Sequence, residues 1–131
     1  MRITGAIGML AKSSGRVVDH VATSLATRDQ VHDVGAGRVR LDLGELNAIS
    51  GAVSAISLHD LPTPELVSLA MILSSTIRQF SEIVRDAIRQ NREMNGENFT
   101  DFFNTIQQIR ISLQSTIFDL EKEQTKILSA D

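Results

Sequence analysis

The feature that most constrains this chain is an apolar repeat whose intervals alternate between four and three residues. It runs through Leu66, Ala70, Leu73, Ile77, Phe80, Val84 and Ala87. Only an α-helix lines those side chains up, and the pattern is a heptad seam over three repeats. A second seam follows at Phe99, Phe102, Ile106, Ile109, Leu113, Thr116, Leu120, Glu123 and Ile127. The punctuation agrees with both. Thr63 is a good N-cap, Pro64 suits the first helical position, and Glu65 favours the positive end of the helix dipole. Asn95-Gly96 stops the first helix, with Gly96 at the left-handed closing position. Asn98 then caps the next helix, with Asp101 three residues on. The spacing predicts helices over about 64–94 and 98–129, each roughly 45 Å long. So short a connection makes them antiparallel. The expected fold is all-α, a long helical hairpin with coiled-coil character.

The two seams are unequal. Leu69, Ile72, Ile83 and Ile88 widen the first stripe beyond a two-stranded seam, so that helix needs more than one neighbour. The second seam weakens at Thr116 and Glu123. The hairpin should therefore pack best near the turn, where Phe80 and the Phe99/Phe102/Phe103 cluster lie. It should be loosest at the far end, where Leu66 and Leu69 face a fading seam and a partner is missing. The expected interaction seam is Leu66, Leu69, Leu73, Ile77, Phe80, Val84, Phe99, Phe102, Ile106, Ile109, Leu113 and Leu120.

Upstream the patterning is weaker. Residues 1–15 are spotted with Gly and Ser and read as a flexible N-terminal segment. Val17, Val21 and Leu25 support a short helix from Arg16 to about Thr27. Asp33-Val34-Gly35-Ala36-Gly37 is a breaker. Arg38 to Leu43 alternates strictly, so 38–43 is a short strand or an extended connector. Leu46, Ile49, Val53 and Ile56 predict a helix over Glu45–Ser57, weakened by Gly51 and three Ser. The organisation is thus 1–15 flexible, 16–62 short helices and connector, and 63–131 hairpin.

Composition narrows the function classes. The chain has no Cys, which excludes disulfides, thiolate metal sites and a Cys nucleophile. An apolar fraction of 42% excludes wholesale disorder. Five Phe with no Trp or Tyr leave a mostly aliphatic core, as suits a helix bundle. No apolar run approaches the roughly 20 residues of a membrane span. A Sec signal peptide also fits poorly. Residues 1–40 carry six basic and three acidic side chains, while residues 41–131 carry seven basic and thirteen acidic. A basic, acid-free start is common in export segments, and a frayed terminus also explains it. Localisation is open between the cytoplasm and secretion by a non-Sec route.

Catalytic constellations are missing. His20, His32 and His59 show no metal-helix spacing and no catalytic motif. Val34-Gly35-Ala36-Gly37-Arg38-Val39 lacks the third Gly of a dinucleotide loop, and no strand precedes it. The pairs Glu82/Asp86 and Asp119/Glu123 lack the Glu-x-x-His of a di-iron bundle. Asn98-Phe99-Thr100 is a formal glycosylation sequon, but a helix start explains Asn98. Arg78, Arg85, Arg89 and Arg92 form a basic stripe, a possible charged contact face. Glu82, Asp86 and Glu93 interleave with it and disfavour nucleic acid. No enzyme, cofactor or metal is expected.

An assembly role remains: a non-enzymatic helical subunit that docks on copies of itself or on a protein partner. In composition, in residues 1–15 and in a last helix ending almost at Asp131, the chain resembles the small secreted subunits of bacterial type III secretion machines. Those are Cys-free helical hairpins with loosely structured N-termini. The resemblance is architectural, covers residues 64–131, and fits small secretion chaperones or phage structural proteins equally. The alternative is a DNA-binding regulator. Arg38–Leu43 followed by helices resembles ribbon-helix-helix repressors, with Arg38 and Arg40 as base readers and the hairpin for oligomerisation. The assembly role predicts a dimer or larger species in sedimentation, which replacement of Leu73 or Ile109 by Asp dissociates or unfolds. The regulator role predicts DNA retardation that weakens steeply with salt.

Overall fold

A computed structural model describes residues 2–130, with the side chains of 6–129. Met1 and Asp131, the outer limits of the segments 1–15 and 63–131, lie outside the described residues. Among those residues there are five α-helices and no strand: α1 (Arg2–Ser24), α2 (Arg28–Gly35), α3 (Gly44–Ser54), α4 (Pro64–Arg89) and α5 (Gly96–Ala130). Short 3-10 turns lie at Leu58–Asp60 and Asn91–Glu93. The fold is all-α.

The largest correction concerns the N-terminal segment. Residues 1–15, expected to be flexible, belong to the 23-residue helix α1 from its second residue onward. Its buried positions Ile7, Ala11, Ser14, Val18 and Val21, with Leu25 one residue past its end, repeat at four and three residues, as the later seams do. Gly8, Gly15 and the small side chains hide this repeat from a reading of hydrophobicity alone. Both glycines face side chains of α5 at close range. A Cβ on Gly8 would stand 2.7 Å from Gln124 Oε1, and one on Gly15 would stand 3.0 Å from Ile117 Cδ1. Helix α5 thus lies close against α1. Lys12–Glu121 (3.6 Å) and Arg110–Asp19 (3.0 Å) are ion pairs between the same two helices. The pairs descend along α5 as they climb along α1, so the two run antiparallel.

Four helices close a ring. α1 packs on α5, α5 on α4, α4 on α3, and α3 on α1, while α2 covers α4 and the turn after it. The wide stripe on α4 is covered within the chain: α1, α2, α3 and α5 all contact this helix. Ala22 of α1, Leu25 just after it, Phe80 and Val84 of α4, and Phe102, Phe103 and Ile106 of α5 meet around one point in the core. The loop residues Leu61 and Met94 close the core beside the helices.

The far end of α4 and α5 is tied by a polar relay. Thr63 Oγ1 accepts from the Leu66 amide at 3.1 Å and donates to Glu123 Oε1 at 3.0 Å. Glu123 is only 9% exposed. The seam position that looked like a flaw therefore supplies the acceptor for the hydroxyl that caps α4. Leu66, expected to await a partner there, is fully buried.

Turn chemistry differs from expectation at two places. Gly96 does not take a left-handed conformation; Gly37 is the positive-φ glycine among the described residues (φ 79°). Around it the amide of Gly37 donates to Val34 O and that of Arg38 to Asp33 O, the paired bonds of a Schellman stop at the end of α2. α4 ends at Arg89 rather than near Met94, because Asn91 turns inward and its Nδ2 donates to Ile88 O at 2.7 Å. Gly35 of α2 sits on that side chain, with no room for a Cβ. α5 then starts at Gly96, two residues earlier than expected. Its cap is Asn95, whose Oδ1 accepts from the Asn98 amide at 2.8 Å while the Asn95 amide donates to Asn98 Oδ1 at 3.4 Å.

The 38–43 segment is a connector. Its alternation is real, but no second strand exists among the described residues to pair with it, and a lone strand leaves its backbone groups unpartnered. Arg38 instead folds back on Asp33, with Nε 2.9 Å from Oδ1.

Two stability measurements test this core. Phe80→Ala should lower the urea unfolding free energy by about 3–5 kcal/mol through the cavity it leaves. Thr63→Ala should cost about 2–3 kcal/mol, since it removes a helix cap and leaves the buried Glu123 carboxylate without its donor.

Candidate interaction surface

The expected interaction seam is spent inside the molecule. Leu66, Leu73, Ile77, Phe80, Val84, Ile106, Ile109, Leu113 and Leu120 are buried, and Leu69, Phe99 and Phe102 are half-buried against the core. A surface for another molecule has to be sought on the outward faces.

The basic stripe does not form as a unit. Arg85 donates to Asn47 of α3, Arg89 pairs with Asp86 one turn back, and Arg92 lies on the 3-10 turn beyond α4. Arg78 stands exposed on α4. His20, His32 and His59 sit on α1, α2 and the Leu58–Asp60 turn and are not brought together. Among the described residues no group of three His, Asp or Glu could hold a metal ion. None of the described helices is long and apolar enough to cross a membrane. The Gly35–Gly37 amides are turned back onto α2, so they offer no cradle to a phosphate.

The groove between α4 and α5 is polar along its middle. Thr76 and Gln79 face Thr105, Gln108 and Ser112 there. At the far end Glu65, Ser68 and Leu69 face Asp119, Lys122, Glu123 and Lys126. Opposite charges alternate along it, with Pro64 and Leu69 among its lining residues. Met71 and Ile72 on α4 are exposed at 56% and 47%, a single local spot.

The face shared by α1 and α5 is different. Met9 is 73% exposed, Ile111 70% and Phe118 59%. Ile111 and Phe118 lie one heptad apart on α5, opposite its buried seam, where solvent-facing positions ordinarily carry polar groups. Beside them runs a groove of about 560 Å³ between the two helices, with Met9, Lys12 and Arg16 on one wall and Gln114, Ile117 and Glu121 on the other. Ile117 is half-buried and packs on the core at its floor. Lys122 Nζ stands 5.1 Å from the Phe118 ring centroid, a cation–π contact that leaves the outer ring face to solvent. Arg16 donates to Ser13 Oγ at 3.1 Å.

These residues escape a search for seams, because they stand on the face that the seam excludes. A signal exists nonetheless: Ile111 and Phe118 keep the seven-residue spacing of the repeat while falling off its line.

Comparison with known protein families, with curated proteins and with solved structures finds no match to this chain.

If the face is surface and the seam is core, truncations at adjacent positions should separate cleanly. Ile111→Ala and Phe118→Ala should each change the thermal unfolding free energy by less than about 0.5 kcal/mol. Ile109→Ala, two residues from Ile111, should cost about 2–5 kcal/mol.

Proposed function

We propose that this protein is a non-enzymatic helical interaction subunit: an antiparallel α4–α5 hairpin, backed by α1 and α3, that docks through the outward α1/α5 face onto copies of itself or onto a protein partner. One observation carries this. Three large apolar side chains stand mostly in solvent: Met9 on the wall of the α1/α5 groove, and Ile111 and Phe118 on the outward side of α5. Single exposed apolar residues are ordinary, but two a heptad apart on the outward side of one helix offer an apolar strip that association would cover. The bundle beneath is satisfied: among the described residues no buried side-chain polar atom lacks a hydrogen-bond partner. The exposed residues therefore have no evident task in folding.

Two narrower readings gain nothing from the structure. The likeness to type III secretion subunits rested partly on a loosely structured start, and residues 2–15 are helical. The DNA-binding alternative rested on a ribbon at 38–43 that does not form, and on Arg38, which is engaged by Asp33. The proposal is accordingly docking between proteins, with no pathway attached.

The test combines sedimentation of the chain alone with titration of amphipathic helical peptides of acidic, neutral and basic character. Self-association or binding of at least one peptide is expected. The double replacement Ile111→Asp/Phe118→Asp should abolish it while the circular dichroism spectrum and thermal transition stay unchanged. A folded monomer that binds none of the peptides would sink the proposal.

A further inference from the structure

We infer that the outward ridge of α5 at Ile111, Ser115 and Phe118 pairs with the same ridge of a second copy of this chain, the two helices antiparallel about a two-fold axis. This rests on the docking proposal above and commits it to self-association.

Shape makes the ridge its own complement. Ile111, Ser115 and Phe118 follow one another at four and three residues, so they form one line on α5. All three are exposed, Ile111 at 70% and Phe118 at 59% even with Lys122 over its ring. The line reads large, small, large. Two such lines laid antiparallel interlock. Ile111 of each copy comes to the level of Phe118 of the other, and the crossing point falls between Gln114 and Ser115. The small Ser115 side chain there lets the helix axes approach, as the packing of ridges into grooves requires. A two-fold contact needs a surface that matches itself in this way. Met71 and Ile72, the exposed pair on α4, are neighbours in sequence and form no such line.

Charge selects a like partner and the antiparallel sense. No charged residue lies between Arg110 and Asp119, so the strip is neutral over its whole length. It offers neither sign to a charged partner helix, and it sets no like charges together when it meets a copy of itself. Beyond it, the outward charges lie at one end. Glu121 and Lys122 stand exposed three and four residues after Phe118, while Gln108 and Gln107 stand three and four residues before Ile111. A parallel pair in register would set Glu121 beside Glu121 and Lys122 beside Lys122 of the second copy. The antiparallel pair brings both instead to the level of the uncharged Gln108 and Gln107. A contact of one helix pair lies at the small end of specific interfaces, so the dimer is a reversible one.

Sedimentation velocity of the full chain between about 5 and about 500 µM should show monomer giving way to dimer as the concentration rises. Phe118→Asp and Ile111→Asp should each raise the dissociation constant about tenfold or more, with the circular dichroism spectrum and thermal transition unchanged. The chain has no Cys, so an introduced thiol reports the register. Ser115→Cys should form an intermolecular disulfide under mild oxidation, because the two-fold axis brings the 115 positions of the two copies together. Thr125→Cys should not, since the antiparallel register holds its two copies roughly 30 Å apart. Cross-linking of Thr125→Cys, or a dimer in which Ser115→Cys stays reduced, would overturn the antiparallel pairing. A dimer that neither Asp replacement weakens would place the contact on another face and overturn the inference as well. A monomer throughout the range that binds an amphipathic helical peptide, with Phe118→Asp abolishing the binding, would assign the ridge to a different protein while leaving the docking proposal in place. A monomer that binds none of the peptides would remove both.

Discussion

Helix α5 is the wall on which this protein is built. Its apolar stripe extends from Phe99 to Ile127, longer than any other in the chain, and one neighbour cannot cover it. α4 takes one side and α1 the other. The α1 side depends on close approach. Gly8 and Gly15 sit seven residues apart and face the ends of the Gln124 and Ile117 side chains, which an added Cβ would oblige to shift. Dispersion attraction falls steeply with separation, so a gap of an ångström along this contact would forfeit much of its strength.

Polar groups inside the seams set register rather than weaken packing. Ser14 on α1 is fully buried and returns its hydroxyl to Ala11 O, and Thr116 does the same to Ser112 O. Both satisfy themselves within their own helix, so they cost the bundle little. Glu123 cannot do so. Its donor lies on another segment, at the Thr63 hydroxyl, and a slide of α5 along α4 would break that bond inside a largely buried site. Apolar side chains tolerate such a slide far better than a carboxylate does. The one acidic residue in the seam is thereby the strictest statement of how α4 and α5 align.

How much of this was legible depends on what each element used as its signal. α4 and α5 announced themselves because large aliphatic residues marked every seam position and Thr63-Pro64-Glu65 marked a start. α1 did not, because its repeat is written partly in Ala, Ser and Gly, which score as weak or helix-breaking although they are the residues that a tight contact needs. The breaker at 33–37 was legible as a stop, yet its Gly37 turn was assigned to Gly96 by the strength of an Asn-Gly pair. Asn95 caps the following helix instead of closing the preceding one. The alternation at 38–43 looked like a strand because period-two patterning carries no information about whether a partner exists. The outward face was invisible to seam counting, since a search for core residues passes over apolar residues that point the other way.

The α1/α5 contact joins segments about ninety positions apart in sequence, as the Arg110–Asp19 pair shows (|i−j| = 91). Contacts that distant are entropically expensive to close and tend to form late. α4 and α5, joined by a handful of residues, meet cheaply and early. The groove between Met9 of α1 and Ile117 of α5 is therefore assembled only when α1 arrives. Until that moment α5 exposes not only Ile111 and Phe118 but also the Ile117 flank that α1 will cover. The window of greatest stickiness falls before the final docking step, and its length is governed by the slow return of the first helix in the chain to the last.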